Sequence, residues 1–184
     1  MIILGSTSPR RKELLSLITK DFITIKPSFD EKKVDLKTPN YALNEAYNKS
    51  LSLRNNLNKN DILITSDTIV ILNDVIFGKP KDEKDAFRML KELSNKTHKV
   101  ISGYVIYSKK IEVKKEITTY VTFNNLSDEE IKNYIKSVMV LDKAGAYAIQ
   151  DDAKFHLINN IKGSYYNVMG FPLEDIKIEL KKFI

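Results

Sequence analysis

Along this chain, apolar positions recur with a period of two in some stretches and a helical period in others, and the two kinds of stretch take turns. The short apolar run from Met1 to Leu4 predicts a strand, and it leads into Gly5-Ser6-Thr7. Ser8 then predicts a helix cap, with Pro9 in the first turn, where a missing N–H costs nothing. Leu14, Leu15, Leu17 and Ile18 predict that helix's buried stripe. A strand is expected over Phe22 to Lys26, followed by a loop at Phe29-Asp30-Glu31. Thr38-Pro39 predicts the start of a second helix, its inward face made of Ala42, Leu43, Ala46, Tyr47, Ser50 and Leu51. Ile62 to Thr65 predicts a buried strand, and Asn73-Asp74 a hairpin turn between Ile69–Leu72 and Val75–Phe77.

Further on, Asp82 to Leu93 reads as a helix with Ala86, Met89, Leu90 and Leu93 inward. Two long β segments follow, near Lys99 to Tyr107 and Ile111 to Phe123, joined at Lys109-Lys110. Ser127-Asp128-Glu129-Glu130 carries the capping-box pattern, so a helix is expected to begin there. A strand near Phe155 to Ile161 and a final helix after Pro172 complete the order. Strands alternating with helices predict an α/β fold. Without repeats, linker-like stretches or low-complexity tracts, one domain over residues 1–184 is expected.

Composition narrows the classes. No apolar run approaches the roughly 20 residues that span a bilayer, and Met1-Ile2-Ile3-Leu4 lacks the basic start of a signal peptide. A cytoplasmic protein without a membrane partner is therefore expected. With Cys 0 there is no disulfide, thiolate metal site or cysteine nucleophile, and with His 2 a histidine-rich metal centre is not expected. The formal charge of +6 suits an anionic partner, either nucleic acid, a membrane surface or a phosphorylated metabolite. Lys109, Lys110, Lys114, Lys115, Lys181 and Lys182 read as solvated surface.

Several places could carry chemistry. Acidic residues usually favour a helix's first turn, yet Arg10 and Arg11 occupy it here. An anion held between them, with Ser6 and Ser8 alongside, and two arginines turned to water fit the pattern equally. Ser66-Asp67-Thr68 falls at the end of the Ile62–Thr65 run, where a carboxylate can bind Mg²⁺ or orient a water. An ordinary turn aspartate has the same appearance. Lys79, between Gly78 and Pro80, could place an ammonium on a phosphate or be a surface turn lysine. Glu31 as a metal-binding carboxylate and Lys49 as a phosphate-binding cation are further candidates. The small, polar segment Asp142 to Gln150 suits close approach of a ligand, with the Gln150 amide able to read a base edge. His98, His156 and Tyr165-Tyr166 read as structural.

Taken in order, these segments resemble the Maf family of nucleotide pyrophosphatases, also called septum-formation inhibitors. The resemblance rests on Ser6 to Leu15, Ser66 to Val70, Gly78-Lys79-Pro80, Asp85-Ala86, Met89-Leu90, Lys96-Thr97-His98, Leu141 to Gln150 and Gly163 to Pro172. It implies an elongated mixed sheet with flanking helices, similar to inosine-triphosphate pyrophosphatases (the Maf/Ham1 fold), with a cleft between two lobes. It also implies cleavage of a nucleoside triphosphate to monophosphate and pyrophosphate with a divalent cation, Mg²⁺ or Mn²⁺, in a homodimer. Asp67 matches the catalytic acidic residue, Glu31 an active-site acid, and Lys49 and Lys79 the phosphate-site lysines. Glu31 and Asp67 would hold the metal. Arg10, Thr68 and Gln150 fall where the family sets substrate choice, and their pattern resembles the dTTP/UTP branch. The segment Leu43 to Ser50 departs from the family's arginine-leucine-alanine helix, and Ala148 and Asp151 stand where the family usually has glycines. A pyrophosphatase for 7-methyl-GTP or another modified nucleotide, and a nucleotide-binding regulator of cell division, are the alternatives. Nucleic acid is not expected as a partner, because no stacking platform accompanies the lysines.

Overall fold

The structure, a computed structural model, describes residues 1–28 and 40–184. Its strands are β1 (Ile2–Leu4), β2 (Phe22–Thr24), β3 (Ile62–Leu72), β4 (Val75–Phe77), β5 (Thr97–Tyr107), β6 (Glu112–Phe123) and β7 (Ile158–Lys162). Its α-helices are α1 (Pro9–Leu15), α2 (Tyr41–Leu53), α3 (Glu83–Leu93), α4 (Asp128–Ser137), α5 (Asp152–Phe155), α6 (Tyr165–Val168) and α7 (Leu173–Leu180). The strands form a seven-stranded mixed sheet in the order β2-β1-β3-β5-β6-β7, with β4 also paired to β3. The chain divides into two compact units, one of residues 1–68, 102–117 and 170–184, the other of residues 69–101 and 118–169. Among the described residues no helix is long and apolar enough to cross a membrane.

In the first unit β1 lies between parallel neighbours, with Ile3 opposite Ile23 on one side and Leu63 on the other. All three of its residues are buried, so the strand reads as an unbroken apolar run rather than an alternation. Ile3, Leu53, Leu57 and Leu63 form a core cluster beneath it. Helix α1 buries Leu14 and Leu15, but Leu17 is exposed, because the helix ends at Leu15 and the expected stripe does not continue.

Helix α2 is turned relative to the face expected for it. Ala42, Ala46, Ser50 and Leu53 are buried, and with them Glu45 and Lys49, while Leu51 is exposed. The apolar pattern misled because two charged residues belong to the inner face. The expected start at Thr38-Pro39 lies outside the described residues. Helix α7 is tied to the sheet by polar bonds: Tyr104 Oη donates to Asp175, and Lys115 Nζ donates to Glu179 at 2.8 Å. Lys115 is thus part of a network rather than merely solvated surface.

The second unit packs α3 and α4 over a core that includes Val70, Leu72, Phe77, Val100, Val121 and Phe123. Helix α3 buries Ala86, Met89, Leu90 and Leu93, the stripe its spacing predicts. Burying the Met89, Leu90 and Leu93 side chains contributes about 1.5–3 kcal/mol each. The capping box of α4 forms as expected, Ser127 Oγ accepting from the Glu130 N–H and the Glu130 carboxylate accepting from the Ser127 N–H. Asn73 (φ 49°) and Asp74 (φ 63°) make the β3–β4 turn, both in the left-handed region that a two-residue hairpin requires. Phe155 ends α5 instead of starting a strand, and exposed His156 caps that helix at φ 51°, so it is not part of an apolar β run.

Candidate active site

Strand β1 ends at Leu4 opposite Ile64, and the Gly5 N–H bonds the Ile64 carbonyl at 2.8 Å. A Cβ at Gly5 would stand 2.7 Å from Thr65 Cγ2, so only glycine lets the chain leave the sheet this close to β3. The loop then folds on its own hydroxyls. Buried Ser6 accepts the Ser8 N–H at 3.1 Å, and Ser8 caps α1 by accepting the Arg11 N–H at 3.5 Å. These bonds set Arg10 and Arg11 in the first turn, both half-buried. Arg11 is held rather than turned to water: its Nε donates to the Gly170 carbonyl at 2.9 Å and its Nη2 to Thr68 Oγ1 at 3.5 Å. Gly170 presents that carbonyl from φ +102°, a backbone state that glycine adopts without strain.

Strand β3 does not stop before Ser66. It runs unbroken from Ile62 to Leu72, so Asp67 lies within a strand rather than beyond its end, a correction to the sequence expectation. The polar run Thr65 to Thr68 stays in the sheet because each side chain finds a partner. Thr65 Oγ1 donates to the Ala46 carbonyl of α2 at 2.7 Å, and Ser66 Oγ donates to the Gly103 carbonyl at 2.9 Å. Asp67 Oδ1 meets Lys49 Nζ at 2.6 Å, and Thr68 Oγ1 meets Ser102 Oγ at 2.7 Å. Alternation along the strand puts Thr65 and Asp67 on the face that α2 covers.

The Lys49–Asp67 pair is largely withdrawn from water, with side-chain exposures of 7% and 16%. Desolvation offsets much of such a pair's attraction, so its presence is a weak argument for stability and a better one for chemistry. An ammonium here can meet an anion, and the carboxylate can take a proton. Among the described residues no three acidic or histidine side chains converge as a metal cage. Asp67 nevertheless suits a Mg²⁺-type ion, which takes one or two carboxylates and draws its other ligands from water and substrate phosphates. Glu31 lies outside the described residues.

Lys79 and Gln150 belong to the second unit, and both are exposed. Lys79 follows Gly78, whose carbonyl accepts the Gly145 N–H at 3.1 Å. Gly145, at φ +70°, packs where a Cβ would stand 3.2 Å from Val70 methyl carbons. The loop carrying Gln150 is fixed by Tyr134, whose hydroxyl accepts the Ala148 N–H at 3.1 Å and donates to Asp151 at 2.7 Å. Asp151 therefore anchors that loop. His98 is core. Its Nε2 meets Tyr147 Oη at 2.7 Å beside Phe123, and burial pushes the imidazole pKa down to about 4. Sequence reasoning missed the supports of the site, namely Thr65, Ser102, Gly103 and the Gly170 carbonyl. Only Gly170 carried a signal, as part of the Gly163–Pro172 segment.

A protein from Clostridium beijerinckii named dTTP/UTP pyrophosphatase is 42% identical over 98% of both chains. One of the same name from Phocaeicola vulgatus is 45% identical over 98% of this chain and 95% of its own. The Ham1 protein of Staphylococcus aureus shares the fold, with a TM-score of 0.54, 15% identity and 98% of each chain covered. The sequence model described as Maf-like protein matches residues 1–183, and the chain belongs to that family.

Proposed function

We propose that this chain is a nucleoside triphosphate pyrophosphatase that hydrolyses dTTP and UTP to the monophosphate and pyrophosphate. The observation that carries the reading is the withdrawn Lys49–Asp67 pair, Nζ to Oδ1 2.6 Å, in a chain 42% identical end to end to an enzyme of that name. In the reaction, a water oxygen bonds to the α-phosphorus, the α–β anhydride bond breaks, and pyrophosphate leaves with the bridging oxygen. Asp67 accepts the proton that the water gives up. Lys49 fixes the carboxylate's orientation and offers its ammonium to a phosphate oxygen. Arg11, with Arg10, Ser6 and Ser8, holds the triphosphate, and Lys79 supplies a further cation. Thr68 and Gln150 take part in choosing the base. A divalent cation, Mg²⁺ or Mn²⁺, held by Asp67 and Glu31 with the phosphates, would neutralise charge on the triphosphate.

This reading includes a cytoplasmic homodimer that takes free nucleotide rather than nucleic acid. Its test is a panel of triphosphates with Mg²⁺ or Mn²⁺, scored for pyrophosphate. dTTP and UTP are expected to lead the panel, and Asp67→Asn to lower turnover by about 100-fold or more while the protein stays folded. A marked preference for 7-methyl-GTP overturns the base assignment. Full activity of Asp67→Asn overturns the mechanism.

A further inference from the structure

Thr68 Oγ1 stands between two partners, Ser102 Oγ at 2.7 Å and Arg11 Nη2 at 3.5 Å. The three side chains come from β5, β3 and α1, and Ser102 is fully buried. We propose that Ser102 is a positioning residue for the nucleotide site: through Thr68 it sets how Arg11 is presented to the triphosphate. The inference rests on the pyrophosphatase reading only in taking Arg11 to bind the substrate.

The chemistry of the three groups gives the relay its direction. A guanidinium only donates, so Thr68 Oγ1 must accept from Arg11 and needs a lone pair aimed at it. A threonine has few χ1 states, and its hydroxyl points where its strongest neighbour draws it. At 2.7 Å the Ser102 bond has the ideal O–H···O length, whereas the 3.5 Å contact to Arg11 is at the limit of a hydrogen bond. The short bond therefore decides the rotamer and the long one follows it. Arg11 has its second anchor at the Gly170 carbonyl, 2.9 Å from Nε. Each fixed point narrows the orientations open to a planar fork. Without the Ser102 oxygen, the Thr68 hydroxyl loses its fixed direction and its contact to Arg11 is no longer held. Arg11 grips the phosphates in ground and transition states alike, so the loss falls on binding and spares the chemical step.

The experiment is a double-mutant cycle of Ser102→Ala and Thr68→Val, read as the Kd of α,β-methylene-dTTP and as KM and kcat for dTTP. Ser102→Ala is expected to raise Kd and KM about threefold to tenfold, the worth of one hydrogen bond, with kcat within about twofold. In the Thr68→Val background the same change is expected to do nothing further, since the relay is already cut. No effect of Ser102→Ala in the wild-type background, or an equal effect in both backgrounds, overturns the proposal. Thermal melts check that each variant is folded. Should Ser102→Ala fail to fold, Ser102→Thr is compared with Ser102→Val, which match in shape and differ by the hydroxyl. The threonine variant is then expected to bind the analogue more tightly, and equal affinities overturn the proposal. If the wild-type protein binds the analogue but releases no pyrophosphate, the functional reading fails while the binding cycle still decides the inference.

Discussion

Lys49 illustrates how much the environment of one side chain decides. Its stem runs inside α2's buried face, and its ammonium reaches Asp67 at 2.6 Å with little water around either group. Lys49→Met keeps the stem and removes the charge. It should lower kcat/KM for dTTP by about 100-fold, because the phosphates lose a cation and the carboxylate loses its guide. Lys49→Arg should restore little, since a planar fork does not replace a compact ammonium at that distance. Steady-state kinetics of the two variants decide it, and a Lys49→Arg enzyme of wild-type efficiency would show that charge alone suffices. Asp67 and Lys49 were named as candidates from the sequence with the help of the family's order of motifs, whereas their contact with each other was not legible there. Ser102 was illegible because a strand serine gives no sign of which neighbouring strand's hydroxyl it will meet.

At the scale of elements, the pair depends on where α2 sits. The Thr65 hydroxyl bonds the Ala46 carbonyl at 2.7 Å, and Gly103 lies directly under the start of the helix. A Cβ on Gly103 would fall 2.3 Å from Leu43 Cα and 2.4 Å from the Ala42 carbonyl carbon. Those are backbone atoms and cannot rotate away, so in Gly103→Ala the whole helix must shift. The variant should lose about 1–3 kcal/mol of stability and most of its activity, read from urea midpoints and pyrophosphate release. An active Gly103→Ala protein would mean that helix position and Lys49 geometry are uncoupled. Ser127→Ala should instead cost about 1 kcal/mol through the lost α4 cap, without touching kinetics. Its melting curve measures that. Elements whose inner face is purely apolar were legible, as in α3, whereas those with charge or hydroxyls inside were not. In helix α2 Ala42, Ala46 and Ser50 face inward as read, but Glu45, Lys49 and Leu53 are buried in place of Leu43, Tyr47 and Leu51, and β3 was cut short at Thr65, because buried partners rather than apolar spacing keep those polar residues in place.

For the molecule as a whole, no linker was legible between the two units because three of the chain's four crossings between them fall inside ordered strands, β3, β5 and β6, and the fourth in the short α6–α7 connection. A buried histidine in the second unit's core then contributes to how the protein responds to acid. His98 packs against both Phe123 and Tyr147, bonded to the Tyr147 hydroxyl, with a pKa near 4 against an ordinary value of 6.5. Above about pH 6.5 the imidazole is neutral in folded and unfolded chains, so it adds no pH dependence. Between about 6.5 and about 4 the unfolded chain takes up a proton that the folded chain refuses. The contribution of His98 to stability must therefore fall as pH falls through this window, with a slope approaching about 1.4 kcal/mol per pH unit and a total of about 3 kcal/mol. His98→Gln stays neutral throughout and can still bond the Tyr147 hydroxyl. Urea unfolding from pH 7 to pH 4.5 should show the wild type losing stability faster than this variant. Parallel curves would mean that His98 is protonated within the fold, and that water reaches the pocket formed by Phe123 and Tyr147.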